Sequence, residues 1–289
     1  MPKNIITNND LLKEDLVKKI TSTIPDIEKK ILDEIFSFID KLDSAGGIFT
    51  NGIVTSEQLL TLSQIIDTAL KNSGYVNNVQ LFMSDFGKVT LNTSSLLNYV
   101  GGYSFRELPL SDLEKKWQSQ TYETLINSGL TEEFKRPILK IIDETVSYGN
   151  SIESAKKTLQ DFIQSGKDKS GKLKSYVTQT ARDSVNQLQG QQMQSIANNI
   201  GVDYIRYVGG TLLDTRGQCY RWVRELNGRI KYDDLESEIK LAYKNEKLKL
   251  VQPENHRWGG MMKDTNKDNF IVKRGGYNCT HTAVPIRKK

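Results

Sequence analysis

The chain has 289 residues, of which 26% are charged and 37% apolar, and it carries a net charge of +5. That length accommodates one large domain or two ordinary ones, and no stretch approaches the run of apolar residues that a membrane-crossing helix requires. Two cysteines cannot make a disulfide framework, which fits synthesis in a reducing cytoplasm, and the opening MPKNIITNNDLLKEDL lacks the basic segment and apolar run of a secretory signal.

The first half reads as helices. In LLKEDLVKKITSTIPDIEKKILDEIFSFIDKL, Ile24, Ile27, Ile31, Ile35 and Phe38 recur every three or four positions. Pro25 begins a helix here, since its missing N–H costs nothing in a first turn. Ala45-Gly46-Gly47 breaks the pattern. Thr55-Ser56-Glu57 precedes QLLTLSQIIDTALKNSGY, and Asn72-Ser73-Gly74 is its stop. Further helices are expected over 76–99, 110–128, 131–148 and 151–165, the last capped by the Ser151 hydroxyl. The basic, Gly- and Ser-bearing segment Gly166–Lys174 is the candidate hinge. A long helix over 172–200 follows, striped by Leu173, Val177, Ala181, Val185, Leu188, Ile196 and Ile200 and stopped by Gly201.

From Val202 the texture changes. VDYIRYVGG reads as a strand, LDTRGQC as a turn, CYRWVREL as a short helix, and Asp233–Lys244 as another helix. NFIVKRGGYNCTHTAVPI reads as two strands, or a strand and an extended tail, joined at Gly275-Gly276. The fold expectation is a mainly α N-terminal region, 1–171, followed by a small α+β C-terminal domain, 172–289. There is no internal repeat and no Rossmann or P-loop glycine pattern.

Both cysteines and both histidines lie in the final quarter of the chain. Cys219, His256, Cys279 and His281 could form a zinc site, because two thiolates and two imidazoles suit tetrahedral zinc. On a strand, Cys279 and His281 would point to one face. The long separations between Cys219, His256 and Cys279 match no compact zinc motif. Two other readings stand beside this one: a Cys219–Cys279 disulfide, and buried thiols acting as small hydrophobes beside locally bonded histidines. A fourth is a thiolate–imidazole pair for nucleophilic catalysis, made by Cys279 with His281 or His256. No third orienting residue identifies a catalytic set. Asp214 and Arg216 then either bind phosphate or hold the turn together.

Charge divides along the chain. Residues 1–171 carry 19 Lys and Arg against 23 Asp and Glu, whereas residues 172–289 carry 21 against 12. The basic residues Lys172, Lys174, Arg182, Arg206, Arg221, Arg224, Arg229, Lys273, Arg274, Arg287, Lys288 and Lys289 are candidate non-specific contacts to DNA phosphates. No base-reading motif accompanies them. Tyr204, Tyr207, Trp222, Trp258 and Tyr277 form an aromatic group whose default place is a core.

The order of motifs resembles a known family. A helix and strand, TARDSVNQLQGQQMQSIANNIGVDYIRYVGGTLLDTRGQC, is followed by an Asn-Gly pair, a segment containing Pro253 and His256, and a closing Asn-Cys-x-His…Pro. This is similar to the C-terminal module of the Mu-type minor head, or head morphogenesis, proteins of tailed bacteriophages. Ala181-Arg182-Asp183 stands for that family's Ala-Arg-Thr-Glu-like motif and Tyr204–Tyr207 for its aromatic strand. Asp214, Arg216 and Cys219 stand for its turn, and Cys279, His281 and Pro285 for its close. The helix pair GLTEEFKRPILKIIDETVSYGNSIESAKKTL also resembles the helices before the module, so the likeness covers about 129–285.

The chain departs from the family at three places: Trp222 stands where a second turn cysteine is common, His281 where a closing cysteine is common, and Tyr277 near a lost histidine. A four-cysteine metal site is therefore not available. The resemblance implies a virion structural protein made in the host bacterial cytoplasm. Its helical part would dock on the portal protein or the major capsid protein, or on further copies of itself. Its basic module would contact packaged double-stranded DNA, with no membrane involved and no cofactor required beyond a candidate zinc. The alternatives are a nucleic-acid-directed enzyme or toxin-like effector using the Cys/His site, and an assembly factor absent from the finished particle.

Overall fold

A computed structural model describes residues 3–41, 44–45, 48–49, 54–101, 110–164, 166, 169–251, 255–277 and 279–287. The protein is mainly helical, with a small three-stranded antiparallel sheet near the C-terminus, as expected. In chain order the elements begin with α1 (Lys3–Thr21), α2 (Ile24–Lys41), a two-stranded hairpin of β1 (Ser44–Ala45) and β2 (Ile48–Phe49), and α3 (Ser56–Asn72). Next come α4 (Tyr75–Ser84), α5 (Phe86–Gly101) and α6 (Leu110–Ile126). Helix α7 (Ser128–Leu130) runs through a π-helical turn into α8 (Arg136–Ser147), followed by α9 (Ile152–Ile163) and α10 (Lys172–Ile200). The C-terminal elements are β3 (Tyr204–Val208), α11 (Gly217–Tyr220), β4 (Arg229–Lys231), α12 (Leu235–Lys247), α13 (Phe270–Lys273) and β5 (Thr282–Ile286).

Two compact units interleave along the chain: Leu16–Ser84 with Ser119–Ala181, and Met1–Asp15 with Asp85–Gln118 and Arg182–Lys289. The division read from the sequence, at 171/172, runs along the chain, whereas these units take segments from both sides of it. The segment expected as one helix over 76–99 is two, broken at Asp85, and α4 and α5 belong to different units.

The first unit is helix packed on helix. Ile24, Ile27, Ile31 and Ile35 form a stripe on α2 that is at most 2% exposed, and α2 packs on α3 and α9. Thr55 and Gln58 make a reciprocal capping box at α3, and the Ser151 hydroxyl accepts from the Ser154 N–H at α9 as expected. The candidate hinge ends at an anchored point. The fully buried Glu28 carboxylate accepts from the Lys174 backbone N–H at 2.8 Å, within the first turn of α10. A side chain at Gly171 would meet that carboxylate, with its Cβ 2.3 Å from Glu28 Oε1.

The second unit carries the sheet, in the order β4-β3-β5. Its registers pair Ile205 with Ile230 and with Pro285, and Tyr207 with Ala283. The Asn227-Gly228 pair, both with positive φ, makes the turn into β4, and the Gly228 backbone lies against the Tyr207 carbonyl. β5 packs against α5 and α13.

One strand expectation is corrected here: NFIVK is helical. The Asn266 side chain accepts from the Asp268 and Asn269 N–H groups while the Asn269 side chain accepts from the Asn266 N–H, which starts a 3₁₀ turn leading into α13. Phe270, Ile271 and Val272 are all buried, so this short apolar run carries no period that separates strand from helix. Gly190 of α10 leaves room for the α13 backbone, since a Cβ there would lie 2.8 Å from the Val272 Cα.

Candidate metal centre

Three segments of the second unit converge below the end of β3. Tyr207 comes from the strand, Cys219 from α11, and Cys279 and His281 from the loop that leads into β5. The two sulfurs are 3.9 Å apart, and Cys279 Sγ is 3.6 Å from His281 Nδ1. All three side chains are buried, and their donor atoms lie within 4.8 Å of one another, so this group could hold a metal ion. The Tyr207 hydroxyl sits 3.4 Å from Cys219 Sγ and 3.3 Å from Cys279 Sγ. Its ring stacks on His281 and meets Trp222 edge-on.

The surrounding backbone is fitted to the sulfurs. A Cβ on Gly275 would lie 2.2 Å from Cys219 Sγ and 3.0 Å from Cys279 Sγ. Arg216 donates to the carbonyls of Gly275 and Tyr277, and the fully buried Gln218 donates to the carbonyls of Gly259 and Gly275. Asn186 donates to the Cys279 carbonyl at 3.0 Å. The start of β5 is held by a polar network. Thr282 Oγ1 accepts from Lys13 Nζ at 3.0 Å and from the Asn9 side-chain amide at 3.3 Å, and donates to Gln189 Oε1 at 3.2 Å. That hydroxyl thus uses its whole hydrogen-bonding capacity.

Electrostatics follow from this packing. The hydrogen bond from Cys219 holds the Cys279 thiol well below the ordinary thiol range against its burial, with help from His281 and Arg274. Cys219 moves the other way, raised by the bond to Cys279 and by burial. Burial lowers the Lys13 ammonium to about 7, with Arg274 adding to the fall and Asp10 and Cys279 opposing it. Deprotonated sulfur and imidazole are the forms that bind metal, and Cys279 is already biased that way. A cleft of about 350 Å³ opens on Cys219, Cys279 and His281 and is bordered by Glu14, Arg182, Asp214, Thr215 and Arg216, among others.

Three of the four sequence-nominated ligands therefore meet, and His256 does not join them. Its ring stacks on Tyr220 with centroids 4.3 Å apart. Cys279 and His281 precede β5 rather than sitting on it, so their convergence comes from loop geometry instead of strand alternation. Asp214 and Arg216 do flank the group, although Arg216 ties the 275–277 backbone rather than pairing across its own turn.

Among the candidate phosphate contacts, Arg274 is corrected outright: it is 2% exposed and donates to the His281 carbonyl at 3.1 Å. Arg221 is bound by Glu238 and Glu225, Lys172 by Glu133, and Arg182 lies 3.8 Å from Glu14. Lys273 donates to the Lys263 carbonyl, and the Lys174 backbone N–H serves the Glu28 cap. Arg206 and Arg229 face each other across β3 and β4, with Arg229 over the Tyr204 ring and Arg206 on the Asn227 carbonyl. Arg224 is exposed and donates to Thr211, and Arg287 is exposed, while Lys288 and Lys289 lie outside the described residues. In the aromatic group Tyr207, Trp222 and Trp258 are buried, and Tyr277 is 46% exposed.

Sequence reasoning missed Lys13, Asn186, Gln218 and the packing role of Gly275. The Gly-Gly pair marks a tight backbone, but nothing local links it to a sulfur, and Lys13 meets Thr282 only through the tertiary fold. Among the described residues no helix is long and apolar enough to cross a membrane. Comparison with protein-family models, with curated proteins and with solved structures finds no match.

Proposed function

We propose that this chain is a minor head protein of a tailed bacteriophage. In this reading it is made in the host cytoplasm, is bound in the virion to the portal or major capsid protein, and contacts packaged DNA without reading its sequence. One observation supports the reading above others. The turn with Asp214, Arg216 and Cys219 and the close with Cys279 and His281, which carry the resemblance, border one cleft and share one buried cluster. The Arg206–Arg229 pair, with the exposed Arg224, supplies a cationic surface for phosphates.

Within this reading the ion of the cluster is zinc, joining the turn at Cys219 to the close at Cys279 and His281. Tetrahedral zinc with its usual bond lengths sets sulfur–sulfur edges at about 3.8 Å and sulfur–nitrogen edges at about 3.6 Å. The separations here are 3.9 and 3.6 Å. Particles purified from a producing culture should contain the chain at low copy number, detected by mass spectrometry. Its absence from particles that are otherwise complete would sink the virion role and favour an assembly factor that leaves before completion. Elemental analysis of the purified chain should find about one zinc.

A second reading, a nucleic-acid-directed enzyme or toxin-like effector, draws on the depressed Cys279 thiol beside His281 at the edge of the cleft. It predicts nucleic-acid turnover that Cys279→Ala abolishes. The structural reading predicts none.

A further inference from the structure

We propose that a metal held by Cys219, Cys279 and His281 keeps its fourth coordination position open to the adjoining cleft, where an exogenous anionic oxygen ligand binds. This deepens the metal reading above and rests on it.

The donor set is one short of a closed site. Structural zinc sites carry four protein ligands, whereas sites with three leave a vertex for water or an incoming ligand. Among the described residues the cluster has three members, and His256 is engaged by Tyr220 instead. The direction of the fourth position follows from what surrounds the donors. On the inner side the Tyr207 hydroxyl contacts both sulfurs, and Gly275 is so close that even a methyl group would overlap Cys219 Sγ. No external ligand fits there. On the outer side all three ligand residues line the cleft, whose volume of about 350 Å³ holds a small anion with several waters. His281 Nε2, the ring nitrogen other than the one beside Cys279 Sγ, is buried without a hydrogen-bond partner among the described residues, so the fold leaves it for a ligand or water of the site to meet.

Charge selects the class of ligand. Two thiolates neutralise a divalent ion, and neutral histidine adds nothing. The buried Arg274 lies nearby and interacts electrostatically with Cys279, and Arg182 and Arg216 stand on the rim. The carboxylates of Glu14 and Asp214 offset part of this, but Glu14 lies 3.8 Å from Arg182. The surplus favours an anion, and hard oxygen donors such as carboxylate or phosphate suit the mixed lining of threonine and arginine.

The test uses the full chain loaded with cobalt(II) under anaerobic conditions, because cobalt reports its coordination through visible absorption. Acetate, inorganic phosphate and dimethyl phosphate are titrated at constant ionic strength with perchlorate. The expected result is about one cobalt per chain and a saturable change in the visible bands. Phosphate against dimethyl phosphate separates a terminal phosphate from a phosphodiester, and acetate identifies a carboxylate preference. Arg182→Gln should leave the anion-free spectrum unchanged and weaken the best anion about tenfold. Cobalt bound with a spectrum indifferent to all three anions would overturn the open position while leaving the metal reading intact. A shift of the anion-free spectrum in Asp214→Asn would overturn it too, by identifying an internal carboxylate as the fourth ligand. Failure to bind cobalt at all would remove the metal reading and the open position together.

Discussion

The two units solve the problem of burial in opposite ways. In the helical unit the interior is made mostly of side chains that need nothing from their neighbours but contact: Ile24, Ile31 and Ile35 of α2, Leu62 and Ile66 of α3, and Ile138 and Ile142 of α8 are all fully buried. Its buried carboxylate, Glu28, serves the start of a helix. In the other unit the interior holds Lys13, Arg274, His281, Gln189, Gln218 and two thiols, each 7% exposed or less. Burying such groups costs free energy unless every one finds a partner. The two thiols and His281 contact one another, Arg274 and Gln218 donate to backbone carbonyls, and Lys13 and Gln189 meet at the Thr282 hydroxyl. A fold that needed only stability would use the first solution throughout, so the place where it adopts the second is where a site should be sought.

The largest effect that would sharpen this contrast belongs to the apolar unit. Ile31→Ala removes a fully buried side chain from the α2 stripe. It should destabilise the protein by about 2–5 kcal/mol in chemical denaturation, through lost transfer energy and the cavity left behind. Metal affinity should not change. A large fall in metal binding in that variant, measured under conditions where it stays folded, would break the separation between the two interiors.

Gly275→Ala tests the other side. Its Cβ would overlap Cys219 Sγ and press on the Tyr207 hydroxyl, at 2.2 and 2.8 Å. Overpacking of this kind should cost about 3 kcal/mol, and here it should also spread the donors and weaken metal binding at least tenfold. Full metal affinity in a merely destabilised variant would mean that the sulfurs can shift freely and that the tight backbone is not part of the site.

How much of this was legible beforehand depends on how local its cause is. The α2 stripe, the caps at Thr55 and Ser151, and the start of β3 near Tyr204 rest on neighbours in sequence, and the chain displays them. α13 was hidden because Phe270, Ile271 and Val272 are buried on every side, and because the signal for a helix lay in Asn266 and Asn269 rather than in any apolar period. At the site, clustering of cysteine and histidine in the last quarter pointed to three true neighbours and one false one. His281 has a cysteine two residues away, whereas His256 has none near it in sequence and is carried by the fold to Tyr220. The cationic surroundings were beyond reach for the same reason. Lys13 sits in a helical pattern where a lysine ordinarily faces water, and its contact with Thr282 spans nearly the whole chain. Arg274 was counted as a surface cation although it is buried.

Lys13 also provides the subtlest test of the contrast. Its folded pKa, about 7, lies below the value near 10.4 expected of an unfolded lysine. The unfolded chain therefore binds more protons between these limits, and stability should rise with pH across that window. The cost of burying the charged amine is present in full below about 7 and is relieved as the pH approaches 10. Between pH 7 and 9 this single group should add about 2 kcal/mol to the stability of the chelated wild-type protein. Lys13→Met, which keeps the length and the apolar stem, should lack that increment, while residual pH dependence from Asp10, Cys219 and Cys279 remains in both proteins. Denaturant titrations at the two pH values measure the difference directly. Equal gains in the two proteins would mean that Lys13 keeps its charge in the fold, held by Asp10 and a Cys279 thiolate. The polar interior would then consist of compensated ion pairs rather than of a lysine neutralised by burial.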